Sequence, residues 1–202
     1  CSDNNDVLMA SRNGKAIRFA ANAVRVFRGR DSTGVRGIRL LGNDRVVSMS
    51  IITDETNEYI LSVTENGYGK RTHVSDYRLS GRGGQGVANI ETSERNGQVM
   101  ASFTVVEEDQ LMLVTNMGQV IRIRVHGAEG DSIRIAGRKT QGVRLFDVAD
   151  DENEKVVSAG LVRETDNEDD EDLHASADNE TDGVYASTAV VANDKTDNRT
   201  NN

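Results

Sequence analysis

The sequence has 202 residues, of which 36% are hydrophobic and 4% aromatic. A chain of this length supports one or two domains, and its core must come mainly from Val, Ile, Leu and Ala because aromatic residues are scarce. No apolar run of about eighteen residues occurs, so a transmembrane helix is excluded and no membrane partner is expected. The single Cys, at position 1, excludes a disulfide framework and a Cys-based zinc site, and it favours a cytoplasmic location.

The formal net charge of −9 is unevenly distributed along the chain. Residues 1–146 carry 20 Lys and Arg against 16 Asp and Glu, whereas residues 147–202 carry 4 against 17. The overall acidity therefore describes the C-terminal part and hides a mildly basic body. Because the sequence begins with Cys1 rather than Met, we expect a fragment of a longer chain.

Three landmarks recur in a fixed order along the body, which indicates an internal repeat. The first is a glycine between two apolar runs: Gly14 in "VLMASRNGKAIRF" (7–19), Gly67 in "ILSVTENGYGKRT" (60–72) and Gly118 in "MLVTNMGQVIRI" (112–123). The second is a Gly-Arg phrase, which we align on Gly37, Gly86 and Gly142. The third is an apolar run, at residues 45–52, 98–106 and 155–162.

Within each repeat the apolar residues alternate as they do in β-strands. "VIRIRV" places Ile121, Ile123 and Val125 on one face of a half-buried strand. Asn13-Gly14 and Asn66-Gly67 predict tight hairpins with both turn residues at positive φ. We therefore expect an all-β body over residues 1–163, made of about four-stranded antiparallel blades at about 7–52, 60–106 and 111–162. A propeller typically has about four to eight blades, so further blades are expected upstream.

Residues 164–202 form an acidic tail that carries 12 Asp and Glu against Lys195 and Arg199. This composition predicts disorder. The tail contains one apolar patch, "VYASTAVV" (184–191). Two interpretations of the patch stay open: it is disordered with the rest of the tail, or it docks on the body.

No constellation in the sequence is typical of catalysis, and we expect no catalytic residue, metal site or cofactor in this chain. The GxGxxG match from Gly81 to Gly86 is followed by the strand-like "VANIETS" rather than by a helix, which argues against a dinucleotide site. His73, His126 and His174 lie far apart in sequence and lack the spacing of a metal cluster.

The basic residues beside the recurring glycines predict a binding surface. Glycine lets the backbone approach a partner closely, and Arg supplies a fork of donors for phosphate. One basic turn in each blade would suit the backbone of a bent DNA duplex. The alternative is that these side chains only solvate the sheets. The predicted DNA-binding residues are Arg28, Arg30, Arg36, Lys70, Arg71, Arg82, Arg138, Lys139 and Arg144. Lys70 stands where the other repeats have Ile17 and Ile121, so the second blade is expected to be more basic there.

Several of these motifs resemble the C-terminal domain of the A subunit of bacterial DNA gyrase. They are "STGVRGIRL" (32–40), "TENGYGKRTHVSDY" (64–77), "ETSERNGQV" (91–99), "GRKTQGVRLF" (137–146) and "DENEKVV" (151–157). The resemblance covers roughly residues 5–163 and implies the last three blades of a six-bladed β-pinwheel. Such a domain wraps duplex DNA, so that an ATP-dependent type II topoisomerase introduces negative supercoils.

The resemblance further implies a heterotetramer in which two A subunits assemble with the gyrase B subunit. ATP and Mg²⁺ would bind to other domains, and the catalytic Tyr would lie upstream. Tyr59, Tyr68, Tyr77 and Tyr185 do not match its context. The hallmark Gln-Arg-Arg-Gly-Gly-Lys-Gly box of the family is absent, and "SGRGGQG" (80–86) is a weak echo of it. The C-terminal domain of the corresponding topoisomerase IV chain and a non-enzymatic, protein-binding propeller remain as alternatives.

Overall fold

The computed structural model of the chain describes residues 1–127, 132–148 and 153–162. These residues form antiparallel strands, and their only helical elements are two 3-10 turns, Ala21–Ala23 and Val74–Asp76. The all-β prediction is confirmed. The acidic tail, for which disorder was predicted, lies outside the described residues. The strands are β1 (Asp6–Ser11), β2 (Lys15–Ala20), β3 (Val46–Ile52), β4 (Tyr59–Thr64), β5 (Tyr68–His73), β6 (Val87–Ala88), β7 (Val99–Val105), β8 (Gln110–Thr115), β9 (Val120–Arg124), β10 (Val143–Arg144) and β11 (Val156–Val162).

The strands form three sheets, one for each repeat. Their orders are β3-β1-β2-β6, β10-β5-β4-β7 and β11-β8-β9. Each sheet is built on one hairpin, β1–β2, β4–β5 or β8–β9, and the apolar run that closes the repeat pairs with the first strand of that hairpin. The strands β3, β7 and β11 lie side by side at one edge of the array, and β6 and β10 lie at the opposite edge.

The fourth strand of a sheet comes from the following repeat, which the sequence did not predict. The strand β6 belongs to the second Gly-Arg phrase but pairs with β2 of the first sheet, with Val87 opposite Ala16. The strand β10 belongs to the third phrase but pairs with β5 of the second sheet, with Val143 opposite Gly69. Each of these two sheets is therefore completed by its neighbour in the chain.

The hairpin turns differ from the prediction. Gly14, Gly67 and Gly118 have φ of 78°, 75° and 84°, but Asn13 and Asn66 are not among the residues with positive φ. The N–H of Gly14 donates to the carbonyl of Ser11 at 3.1 Å, and the other two glycines repeat this bond. Each turn is thus a type I turn followed by one left-handed glycine, which needs no second positive φ.

The correct alignment of the first Gly-Arg phrase is on Gly34, and the alignment on Gly37 was wrong. Gly34, Gly86 and Gly142 share a φ between 72° and 79°. The hydrogen bonds support this alignment. The N–H of Arg39 donates to the carbonyl of Gly84, and the N–H of Glu91 donates to the carbonyl of Thr140. Each donor lies five residues after its left-handed glycine, and each acceptor lies in the next phrase. The repeated motif is therefore a Gly-Arg pair, with the left-handed glycine four residues after the Arg.

Aliphatic side chains fill the spaces between neighbouring sheets. One cluster joins Leu8 and Ile52 of the first sheet to Ile60 of the second, together with Val74 and Tyr77. A second cluster joins the second and third sheets, for example through Leu61, Leu111 and Leu113. This composition agrees with the scarcity of aromatic residues.

Two basic side chains of β5 are buried in the second sheet. Lys70 is 0% exposed, and its Nζ donates to the carbonyl of Gly137 at 2.5 Å. Arg71 is 3% exposed, its Nε donates to the carbonyl of Ile133 at 2.7 Å, and its guanidinium lies over the ring of Tyr59. Both side chains therefore hold the segment that leads to β10 against the second sheet.

The addition of β10 to the second sheet, which we call the strand exchange, predicts that a side chain at Gly142 strongly destabilises the fold. This residue has φ of 79°, and a Cβ there would lie 2.7 Å from the carbonyl oxygen of Gly69. We expect Gly142→Ala to lower the free energy of unfolding by about 2 kcal/mol or more, from the left-handed backbone and the clash with β5. Gly137→Ala is the matched control, because φ there is not positive and no atom lies within 4 Å of its Cβ. Equal stability of the two variants in urea denaturation would contradict the exchange.

The burial of Lys70 predicts a pH-dependent stability. Burial, together with the nearby charge of Arg138, lowers the pKa of Lys70 to about 8, although the charge of Asp76 partly opposes the shift. In the unfolded chain the lysine has a pKa of about 10.4. The destabilisation is therefore complete below about pH 8 and is relieved as pH rises toward 10.4, by about 3 kcal/mol in total. Denaturation of wild type and Lys70→Ile from pH 7 to 10.5 measures this difference. If the difference in free energy of unfolding between the two proteins did not change with pH, the lowered pKa of Lys70 would be contradicted.

Candidate nucleic-acid interface

The three Gly-Arg turns form one continuous row at the edge that carries β6 and β10. Arg82 of the second turn donates from Nη1 to the carbonyl of Arg36 in the first, at 3.3 Å. Arg138 of the third turn donates from Nη1 to the carbonyl of Ala88 in the second phrase, at 3.1 Å. The two bonds join equivalent positions, since each acceptor lies two residues after the left-handed glycine. The row therefore repeats the same contact from one turn to the next.

Most of the predicted DNA-binding residues are accessible in this row. Arg138 is half-buried, and the exposed ones are Arg28, Arg30, Arg36, Arg82, Lys139 and Arg144. Within the described residues, the side chains of Arg28, Arg30, Arg36, Arg82 and Lys139 have no acidic partner. The structure thus brings together basic groups with unneutralised charge from all three repeats.

The prediction for Lys70 and Arg71 needs correction, because neither side chain reaches the surface. Both are buried and donate to main-chain carbonyls of the segment before β10. The second blade is therefore not more basic at its surface near Lys70. Arg18 occupies the equivalent position to Arg71 in the first sheet and is also buried, with bonds to Asp6, Glu55 and the carbonyl of Tyr77. A basic residue four positions after the hairpin glycine is structural in both sheets.

Arg144 is accessible but not free. Its Nη1 pairs with Asp147 at 2.5 Å, and its Nη2 donates to the hydroxyl of Tyr68 at 3.2 Å. The Nε of Arg95 donates to the same hydroxyl at 3.3 Å, and both guanidiniums lie over the ring of Tyr68. The two cations lower the pKa of the Tyr68 hydroxyl, the bond from Arg144 contributing most. Arg144 thus brings less net charge to the row than Arg36.

Sequence reasoning missed two exposed cations of the row, Arg78 and Arg134. Both are exposed and have no acidic partner among the described residues. Each lies eight residues before its left-handed glycine, Gly86 or Gly142. This common spacing could have identified them once the phrases were aligned on the correct glycine.

The described residues hold no group of three or more His, Cys, Asp or Glu placed to share a metal ion. Their helical elements are also too short to cross a membrane. The GxGxxG match from Gly81 to Gly86 leads into β6, a strand, as the sequence predicted.

Comparison with known families gives a match over all three repeats. The family described as "DNA gyrase C-terminal domain, beta-propeller" matches residues 5–53, 58–105 and 109–163. These three segments contain the three hairpins and their closing strands. The match therefore covers more than half of the chain.

Three curated relatives carry the name of the A subunit of DNA gyrase. The chain is 44% identical to the protein of Salmonella typhimurium over 86% of its length, 40% identical to that of Staphylococcus aureus over 96%, and 34% identical to that of Rickettsia bellii over 85%. It spans only 18%, 21% and 23% of these relatives. The chain thus corresponds to about a fifth of each.

Solved structures agree on the fold. The C-terminal domain of DNA topoisomerase IV matches with a TM-score of 0.71 and 26% identity, over 80% of this chain and 47% of the other. The C-terminal domain of E. coli ParC matches with a TM-score of 0.61 and 20% identity, over 81% of this chain and 63% of the other. With the match over three repeats and relatives of this identity, the chain belongs to the C-terminal domain family of the DNA gyrase A subunit.

Proposed function

We propose that the row of Gly-Arg turns binds the phosphate backbone of duplex DNA and bends the duplex along the edge of the array. The row supports this function because it places exposed, unpaired cations of all three repeats on one edge, joined through Arg82 and Arg138. Contacts of Lys and Arg with phosphates are independent of sequence and release counterions. The basic turns recur at regular intervals, which suits a partner such as DNA, whose phosphates also recur at regular intervals.

Duplex DNA fits this surface better than single strands or a protein partner. Proteins that hold single strands stack the bases on aromatic side chains. The exposed large apolar side chains of the described residues include one aromatic, Phe27, and Arg25 lies over its ring. A surface for a protein partner would have a core rich in aromatic residues. We therefore rank the protein-binding propeller below the DNA-binding domain.

We further propose that the parent protein is a type II topoisomerase that introduces negative supercoils. In this proposal a second A subunit, together with the gyrase B subunit, completes a heterotetramer in the cytoplasm, and other domains bind ATP and Mg²⁺ and carry the catalytic Tyr. The curated relatives, which are A subunits of DNA gyrase at 34–44% identity to this chain, support it. The structural likeness to a topoisomerase IV domain keeps that enzyme as the second candidate.

The charge of the row predicts a strong salt dependence of DNA binding. If about five phosphates are neutralised, the logarithm of the association constant falls with the logarithm of salt concentration with a slope of about −4 to −5. Removing three unpaired cations, in the combined variant Arg30→Gln, Arg36→Gln and Lys139→Gln, reduces this slope by about 3. Titration of one duplex at several salt concentrations measures both.

The matched control removes charge from the opposite edge. Arg45 and Lys155 are exposed and immediately precede β3 and β11. We expect the double variant Arg45→Gln and Lys155→Gln to retain the wild-type slope. A slope near zero for wild type, or equal losses in the two variants, would contradict binding along the row.

A domain exchange distinguishes gyrase from topoisomerase IV. The chain replaces the matching C-terminal residues in the A subunit of Salmonella typhimurium gyrase, which is then assembled with the B subunit of the same organism. We expect ATP-dependent negative supercoiling of a relaxed plasmid, lost in the chimera with the three row substitutions and kept with the two control substitutions. A chimera that relaxes but never supercoils would favour the topoisomerase IV assignment.

A further inference from the structure

An aliphatic residue is exposed at the same position of the second and third Gly-Arg phrases. Leu79 and Ile135 each lie seven residues before the left-handed glycine of their phrase, and they are 58% and 40% exposed. The first phrase has Phe27, which is also exposed, at this position. A large apolar residue therefore recurs once in each turn of the row.

The backbone holds the two aliphatic residues in the same way. Leu79 forms a parallel bridge with Arg18 of β2, and Ile135 forms the equivalent bridge with Arg71 of β5. The N–H that follows each aliphatic residue donates to the carbonyl of the same arginine, at 2.9 Å and 2.8 Å. The buried guanidinium of that arginine donates to the carbonyl two residues before the aliphatic one, at 3.2 Å and 2.7 Å. The acceptor strands therefore fix the backbone on both sides of each exposed side chain.

Unpaired cations of the row lie next to these side chains. Arg78 and Arg134, which immediately precede Leu79 and Ile135, are exposed and have no acidic partner among the described residues. Leu79 keeps its exposure although its turn is bonded to the turns on both sides. A ligand that binds these cations therefore also meets the aliphatic side chains.

Duplex DNA presents charged and apolar groups in alternation. Along each strand, deoxyribose rings with apolar C–H edges separate the charged phosphates, and DNA-binding proteins contact both groups. An aliphatic side chain beside an Arg complements such a strand, because the contact removes apolar surface of both partners from water. The Arg-Leu and Arg-Ile pairs of the row therefore match the backbone of the duplex better than cations alone.

We propose that Leu79 and Ile135 pack against the deoxyribose edges of the duplex that the row binds. Single apolar side chains are common on protein surfaces. These two differ because they recur at one position, are held by the same backbone bonds and lie beside unpaired cations. The inference rests on the proposed DNA binding and adds to it an apolar contribution to affinity that salt does not screen.

Contact with the sugars fits the proposed bend better than insertion between the bases. Apolar side chains that insert between base steps from the minor groove kink the duplex toward the major groove, and so away from the protein that inserts them. A duplex that follows the row must instead bend toward it. Packing against the sugar edges leaves the bases stacked and permits this direction of bending.

The salt dependence of binding separates the apolar contribution from that of the charges. If each side chain buries about 40 Å² of apolar surface against the DNA, it raises the association constant about fivefold. We expect Leu79→Ala with Ile135→Ala, in the full chain, to weaken binding of one duplex about tenfold at every salt concentration. The slope should keep its wild-type value, because no charge is removed.

The matched control removes apolar surface from the opposite edge. Met49 and Val157 are exposed and lie in β3 and β11, so we expect Met49→Ala with Val157→Ala to keep the wild-type affinity. The exchange Leu79→Ile with Ile135→Leu should also keep it, since the apolar surface is preserved. Equal affinities of wild type and the Leu79 and Ile135 double Ala variant, or a changed slope in that variant, would overturn the proposal. A wild-type slope near zero would overturn the underlying DNA binding as well.

Methyl NMR observes the contact in the wild-type chain. With isotope-labelled Leu and Ile methyl groups, assigned from the two Ala substitutions, we expect nuclear Overhauser effects from Leu79 and Ile135 to deoxyribose protons of the bound duplex. Effects to base protons alone, or none in the saturated complex, would overturn the proposal. Shifts of these methyl signals with chain concentration in the absence of DNA would also overturn it and assign this face to another copy of the chain.

Discussion

The addition of a strand from the following repeat is the interaction on which the rest of the structure depends. The strands β6 and β10 are only two residues long, so their own pairing stabilises little. They are held because Gly86 and Gly142 approach the acceptor backbone closely and because basic side chains of the acceptor strand hold the segment before them. Since each repeat completes its predecessor, stability is expected to follow contacts between neighbouring repeats.

Polar groups, as well as apolar ones, join the repeats. Asn89, Ser62, Ser102 and Tyr77 form a buried network between the first two sheets, in which the Tyr77 hydroxyl donates to Asn89 Oδ1 at 2.6 Å. Buried polar groups are costly without partners, so such a network requires one relative position of the two sheets. The directional bonds set a geometry that small aliphatic side chains alone would leave loose.

The same exchange explains why basic residues of similar appearance have different roles. A strand that leaves its own repeat carries its Gly-Arg turn to the outer edge of the preceding sheet, where Arg36 and Lys139 are exposed. The segment that leads into the added strand packs on the acceptor strand, so Lys70 and Arg71 are covered. Arg82 and Arg138 combine both roles, because each holds the neighbouring turn by a single bond and lies in the row itself.

The sequence alone determined the fold class, the three repeats and the position of the hairpins, because strand alternation and turn glycines are local signals. It also indicated a basic surface, since one Gly-Arg phrase recurs in each repeat. The partner of β6 and β10 and the burial of Lys70 and Arg71 were decided only by the tertiary structure. Pairing between repeats joins residues about 70 positions apart, such as Ala16 and Val87, and no local pattern specifies that choice. The alternation of "YGKRTH" gives the face of each side chain but not whether another strand will cover it.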